Sequence, residues 1–295
     1  MLFSLLGRQW RPRLLDRSAW AVVAWVLTMA DLLPITWLLS GCDLLELSPN
    51  ETRTPVAYRD LTRKNLEALQ RRANPLAGDT LRFVFIGDSQ RFYKEAEAFT
   101  QSVNQLQGVS FVAVAGDISD FGLVREMRWV HERLRRLKVP YLTVIGNHDV
   151  VANGREAYQQ VYGPLNYSFE YGHTRFVFVD TNGREYGFKG RVPDVAWVRQ
   201  ALANPGPGIS RQVVMSHVPP NDADFDPHLV SPYVEALQRA PRLAFGLNGH
   251  RHDFGVTAPF GPALPFINSY AFEKRRYLVL TLWGPQGFQI DSVSY

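Results

Sequence analysis

Asp88, Asp117, Asn147, His148, His217, His250 and His252 share one setting: each stands just beyond an apolar run. Asp88 follows "FVFIG", Asp117 follows "FVAVAG", and Asn147 and His148 follow "YLTVIG". His217 follows "QVVMS", and His250 with His252 follows "LAFGLNG". Taken alone, "GNHD" at 146–149 reads as a turn, because Gly and Asn readily enter left-handed backbone conformations. Five apolar runs that all end in metal-capable side chains point instead to one shared site. Carboxylates, imidazoles and one amide oxygen suit two borderline divalent cations, with a carboxylate shared between them. His131, His173 and His228 have no such setting and read as surface or packing residues.

These side chains can meet only if the runs are neighbouring strands. From residue 81 strands and helices alternate: "LRFVFI" (81–86), "VSFVAVA" (109–115) and "PYLTVI" (140–145) are apolar enough to be buried strands. Ala96, Phe99, Val103 and Leu106 mark a helix between the first two, and Val124, Met127, Val130, Leu134 and Leu137 mark one before the third. That order predicts parallel strands with right-handed crossovers. "NYSFEYGHTRFVFVD" then reads as a hairpin and "PDVAWVRQALA" as a helix. "RQVVMS" and "RLAFGL" are strands around a helix near 228–239, and the C-terminal stretch reads as antiparallel strands joined by Gly-Pro turns. The expected fold is α/β: two mixed β-sheets packed face to face with helices outside, a four-layer α/β/β/α sandwich. In open α/β sheets ligands gather beyond the carboxyl ends of the strands, so the seven residues should converge on one rim.

"GDSQ" (87–90), "GDISD" (116–120), "GNHD" (146–149), "SH" (216–217) and "GHRH" (249–252) stand in the order of the calcineurin-like metallophosphoesterases, which the chain resembles over residues 81–291. The resemblance implies a role for each position. Asp88 and His252 match ligands of a first metal, Asn147, His217 and His250 match those of a second, and Asp117 matches the bridging carboxylate. His148 matches a histidine that binds no metal but, with Asn147, meets the scissile phosphate, and Asp120 matches the acid that orients it. Gln90 stands where many members carry a ligand His. An amide oxygen there shifts the first site toward oxygen donors, favouring Mn²⁺ or Fe, with Mg²⁺ and Zn²⁺ also admitted. Two cations about 3.5 to 4 Å apart lower the pKa of a bridging water and offset charge in an in-line displacement, with no covalent phospho-enzyme. The expected activity is hydrolysis of a phosphate monoester or diester. A membrane-tethered module that binds a phosphate ligand with a degenerate metal site is the alternative, and it would hold one ion or none.

Substrate choice is only thinly encoded, and a nucleotide, lipid headgroup, sugar phosphate or phosphoprotein all remain open. Arg91 follows the first motif and can reach a phosphate. "NGREYGFKGR" (182–191) and "PPNDADFDP" (219–227) read as rim loops, the acidic residues of the second as turn formers.

The 295 residues carry a net charge of +4, and residues 1–41, with four Arg against two Asp, account for half of it. The remainder gives no electrostatic case for nucleic acid. Residues 1–42 read as a leader: an Arg-bearing stretch, then "AWAVVAWVLTMA", then "LLPITWLLSGC". Cys42, the only cysteine, ends a sequence resembling a bacterial lipobox, where the thiol is lipidated and the chain is cleaved before it. An uncleaved membrane helix over about 19–39 is the competing reading. Either way the expectation is a protein anchored in the bacterial cell envelope with its body outside the cytoplasm. Residues 43–80 read as a tether and short helix, and 81–295 as the catalytic domain.

Overall fold

The structure is a computed structural model that describes residues 51–295. The leader, Cys42 and the first part of the tether lie outside the described residues. α1 (Leu61–Gln70) precedes β1 (Leu81–Ile86), followed by α2 (Tyr93–Val103), β2 (Val112–Val114), α3 (Val124–Leu134) and β3 (Tyr141–Thr143). After α4 (Gly154–Val161) come the hairpin strands β4 (Tyr167–Tyr171) and β5 (Thr174–Val179), then α5 (Val195–Ala203), β6 (Arg211–Ser216), α6 (Val230–Gln238) and β7 (Leu243–Asn248). Short strands β8 (Gly255–Thr257) and β9 (Phe266–Asn268) lead to the hairpin of β10 (Arg276–Trp283) and β11 (Gly287–Ser294).

The strands form two mixed sheets in the orders β11-β10-β1-β2-β3 and β4-β5-β6-β7-β9-β8. Phe83, Phe111 and Phe176 lock the sheets together, with ring centroids 5.0 to 5.5 Å apart. Phe99 of α2 and Met127 and Val130 of α3 pack on the outer face of the first sheet, and Val198 of α5 and Tyr233 of α6 on that of the second. The result is the expected four-layer sandwich. The sheets do not divide into an early parallel one and a late antiparallel one. β10 instead pairs antiparallel with β1, Phe83 opposite Leu280, beside the parallel β1–β2–β3 set. The reason lies in its composition: Leu278, Leu280 and Leu282 bury between the sheets while Tyr277 and Val279 bury under the helices. A strand apolar on both faces is stable only with both faces covered. No helix among the described residues is long and apolar enough to cross a membrane.

Candidate metal centre

β1, β2 and β3 run parallel and side by side, so the turns carrying Asp88, Asp117 and Asn147 leave the first sheet together. β6 and β7, also parallel, deliver His217 and His250 from the second sheet. The turns are tight. Asp88, Asp117, His250 and His252 all have left-handed backbones, with φ of 55°, 51°, 69° and 59°. Asp and Asn tolerate this region better than most residues, yet each instance costs about 1–3 kcal/mol unless its surroundings enforce it. Asp149 is one enforcer. Its buried carboxylate accepts the amides of Gly146 (2.9 Å), Ile118 (3.2 Å) and Ser119 (2.7 Å) and the Ser119 hydroxyl (2.7 Å), tying the β2 and β3 turns together. Burial, and then the charge of Asp117, push this carboxyl up to about 6. Gly146 is required by close approach, since a Cβ there would lie 2.1 Å from Asp117 Oδ1.

At the centre the side chains face one another through acceptor atoms. His217 Nδ1 lies 2.6 Å from the Ala115 carbonyl, which can only accept, so that nitrogen donates. Its Nε2 then points at Asn147 Oδ1 (2.9 Å), Asp117 Oδ2 (3.3 Å) and Asp88 Oδ1 (4.0 Å). His250 Nδ1 faces the same Asn147 oxygen at 3.0 Å, and His252 Nε2 faces Asp88 Oδ1 at 3.4 Å. Asp88 Oδ2 and Gln90 Oε1 are buried with no hydrogen-bond partner among the described residues. Gln90 belongs to the same turn set, its amide donating to the Asp117 carbonyl at 2.8 Å. Lone pairs turned on one another need a proton or a cation between them. In the bare protein His217 takes the proton: burial opposes it, but Asp117 and Asp88 prevail and raise its pKa to about 10. Neutral imidazoles, two carboxylates, Asn147 and the orphaned Gln90 oxygen fit divalent cations better.

His148 stands at the edge of this cluster, its amide donating to Asp117 Oδ1 (3.0 Å) and its ring partly exposed. Asp120 does hold the ring, but through its backbone. Nδ1 donates to the Asp120 carbonyl at 3.0 Å, whereas the Asp120 carboxylate is 3.8 Å away and accepts from Arg91. That carboxylate stays mostly buried against Arg91, while Glu126, in the first turn of α3, fixes the loop by accepting the amides of Asp120, Phe121 and Leu123 at 2.9 to 3.4 Å. Arg91, placed by the sequence as a substrate contact, therefore has a protein partner while most of its side chain stays exposed.

Three carboxylates complete the site without a sequence signal of their own. Glu273 Oε1 lies 3.2 Å from His252 Nδ1, and Asp222 and Asp224 each lie 3.5 Å from His250 Nε2. Of the three acids in the 219–227 loop, Asp222 and Asp226 do form turns, accepting the amides of Asp224 and His228, and Asp222 and Asp224 are in addition neighbours of a candidate ligand. Arg184 pairs with Asp224 at 2.8 Å, which ties the 182–191 loop to the same rim. Carboxylates on the outer nitrogens fix tautomer and ring direction for a metal on the inner ones.

The model of the calcineurin-like phosphoesterase family matches residues 81–254, more than half of the chain. A probable cyclic nucleotide phosphodiesterase of Xenorhabdus bovienii is 26% identical over 91 residues, 29% of this chain and 37% of that protein. The glycerophosphodiester phosphodiesterase GpdQ of Enterobacter lignolyticus is 29% identical over 177 residues, 52% of this chain and 62% of that protein. The chain thus spans less than two thirds of either relative. Among solved structures, the purple acid phosphatase PPD1 of yellow lupin (Lupinus luteus) superposes with a TM-score of 0.58 at 12% identity, covering 75% of this chain and 52% of that one. At that identity the likeness concerns the fold alone.

Proposed function

We propose, because the chain belongs to the calcineurin-like phosphoesterase family, that it hydrolyses a phosphodiester with two divalent cations. The observation that carries this reading is the facing of His217 Nε2 and His250 Nδ1 on the single oxygen of Asn147, with Asp117 and Asp88 alongside. Asp88, Gln90, Asp117 and His252 would hold one cation, and Asp117, Asn147, His217 and His250 the other. Bound there, the cations supply an activated water and neutralise phosphoryl oxygens. The rest is done by the chain. Asn147, with Oδ1 turned inward, offers its amide N–H to a phosphoryl oxygen. His148, held at Nδ1 by Asp120, presents Nε2 to the leaving oxygen and passes it a proton. Arg91 adds positive charge at the mouth. The diester is preferred because both curated relatives are described as phosphodiesterases, and the oxygen donor at Gln90 favours Mn²⁺ or Fe.

The test is to strip the full chain of metal, reload it with Mn²⁺, and compare bis(p-nitrophenyl) phosphate with p-nitrophenyl phosphate. Faster turnover of the diester, lost together with the metal in Asp117→Asn, is the expected result. Faster turnover of the monoester rejects the diester preference. Absence of turnover with fewer than two ions per chain supports the binding module instead.

A further inference from the structure

Charge is unevenly divided over the folded body. Segments 58–72 and 124–138, which contain α1 and α3, hold eleven Lys and Arg against four Asp and Glu, a formal charge of +7, while the other described residues sum to −3. The two helices flank an open groove of about 330 Å³, with Leu134 and Pro140 among its lining and Arg71, Arg72, Arg135 and Lys138 around it. All four cations are exposed. Among the described residues only Arg135 has a carboxylate partner, Glu132 at 2.7 Å. Arg72 and Lys138 donate to the carbonyls of Lys138 and Asn104. Cations commonly sit at helix C-termini, where they meet the last carbonyls. That accounts for one or two such residues per helix, but not for four exposed cations around one groove with a single carboxylate partner among them.

The sequence offers a partner of opposite charge. Residues 19–39 are mostly apolar, interrupted by Asp31, and Cys42 closes a lipobox-like sequence, so a body anchored there is never far from a bilayer. The 14 peptide steps from Cys42 to Val56 could span at most about 50 Å. Charge then selects the orientation, since each Lys or Arg near an anionic leaflet adds to the attraction.

We propose that the α1–α3 face docks on anionic phospholipid headgroups, a proposal that rests on the expected membrane anchor. Pro140 and Tyr141 line the groove at the entry of β3, whereas Asn147 and His148 follow its exit, about 20 Å further along an extended chain.

The full chain is reconstituted on vesicles of phosphatidylcholine, alone or mixed with phosphatidylglycerol, and digested briefly with trypsin. Cleavage after Arg71 and Arg72 is expected to slow at least about tenfold on the anionic vesicles, with high salt restoring it. Arg135→Glu combined with Lys138→Glu, which leaves both cleavage sites intact, removes the protection without changing thermal unfolding. Equal cleavage on the two vesicles overturns the docking face. Protection by duplex DNA with no difference between vesicles also overturns it and points to nucleic acid. A chain that does not stay with phosphatidylcholine vesicles refutes the anchor alone. The face is then judged by sedimentation with phosphatidylglycerol vesicles, where binding supports it and failure to bind rejects it.

Discussion

His148 and Glu273 carry the sharpest predictions at the scale of single residues. His148 contacts the cluster through its backbone amide and leaves its ring for substrate, so His148→Asn keeps the metal content and lowers kcat by about 10² to 10⁴. Loss of metal in that variant would move His148 among the ligands. Glu273→Ala removes the acceptor that orients His252, so chelator competition should show the first cation bound about 10- to 100-fold more weakly, with the second unchanged. Asp88, Asp117, Asn147, His217, His250 and His252 were legible because each comes just after a strand, His250 and His252 after the same one, so spacing along the chain maps onto position in space. Glu126, Asp222, Asp224 and Glu273 were not. Their partners lie in other segments or follow a carboxylate turning back on its own loop, and no local pattern marks them. Asp120 shows a subtler limit: its position was readable, but which of its oxygens faces His148 depends on where Arg91 and Glu126 pull it.

Strands with continuous apolar runs and helices with a clear apolar face were readable at the scale of elements. α4 was not, because it has only eight residues and follows "VVANG", which reads as loop. The partner of β10 was equally hidden, since strand character does not specify which open edge a strand will join. His131 shows how elements are tied. Its ring meets Tyr58 edge-on at 5.8 Å, and its Nδ1 lies 2.7 Å from the Tyr141 hydroxyl, joining the approach to α1, α3 and β3. Burial drives its pKa from 6.5 to about 4, with Glu132 opposing and Arg135 and Lys64 assisting. The unfolded chain therefore takes up the proton first as pH falls. The His131 contribution to stability should be flat above pH 6.5 and decline from there toward pH 4, its loss at pH 5 being at most about 2 kcal/mol. Denaturant titrations of the wild type and His131→Asn check this, the variant lacking that part of the slope.

For the whole molecule, the centre draws its candidate ligands from both sheets, so cations bound there would stabilise the native state and contribute nothing comparable once the chain unfolds. At a thousandfold excess over the dissociation constant one ion adds about 4 kcal/mol. For a body of this size that corresponds to a melting temperature roughly 8 to 16 °C higher with metal than with chelator, measurable by calorimetry. An unchanged melting temperature would mean that the centre holds no metal.

The pairing of β1 with β10 also has a consequence for how the protein is made. Phe85 lies opposite Leu278, 193 residues later in the chain. At ribosomal speeds of about 5 to 20 residues per second, one edge of β1 waits roughly 10 to 40 s for its neighbour. The turn holding Asp88 is braced from the same late segment, through the bridge of Gly87 to Ala271. A nascent chain therefore cannot complete the metal site ahead of its own synthesis, and the ions it acquires are those of the compartment in which the last hairpin closes.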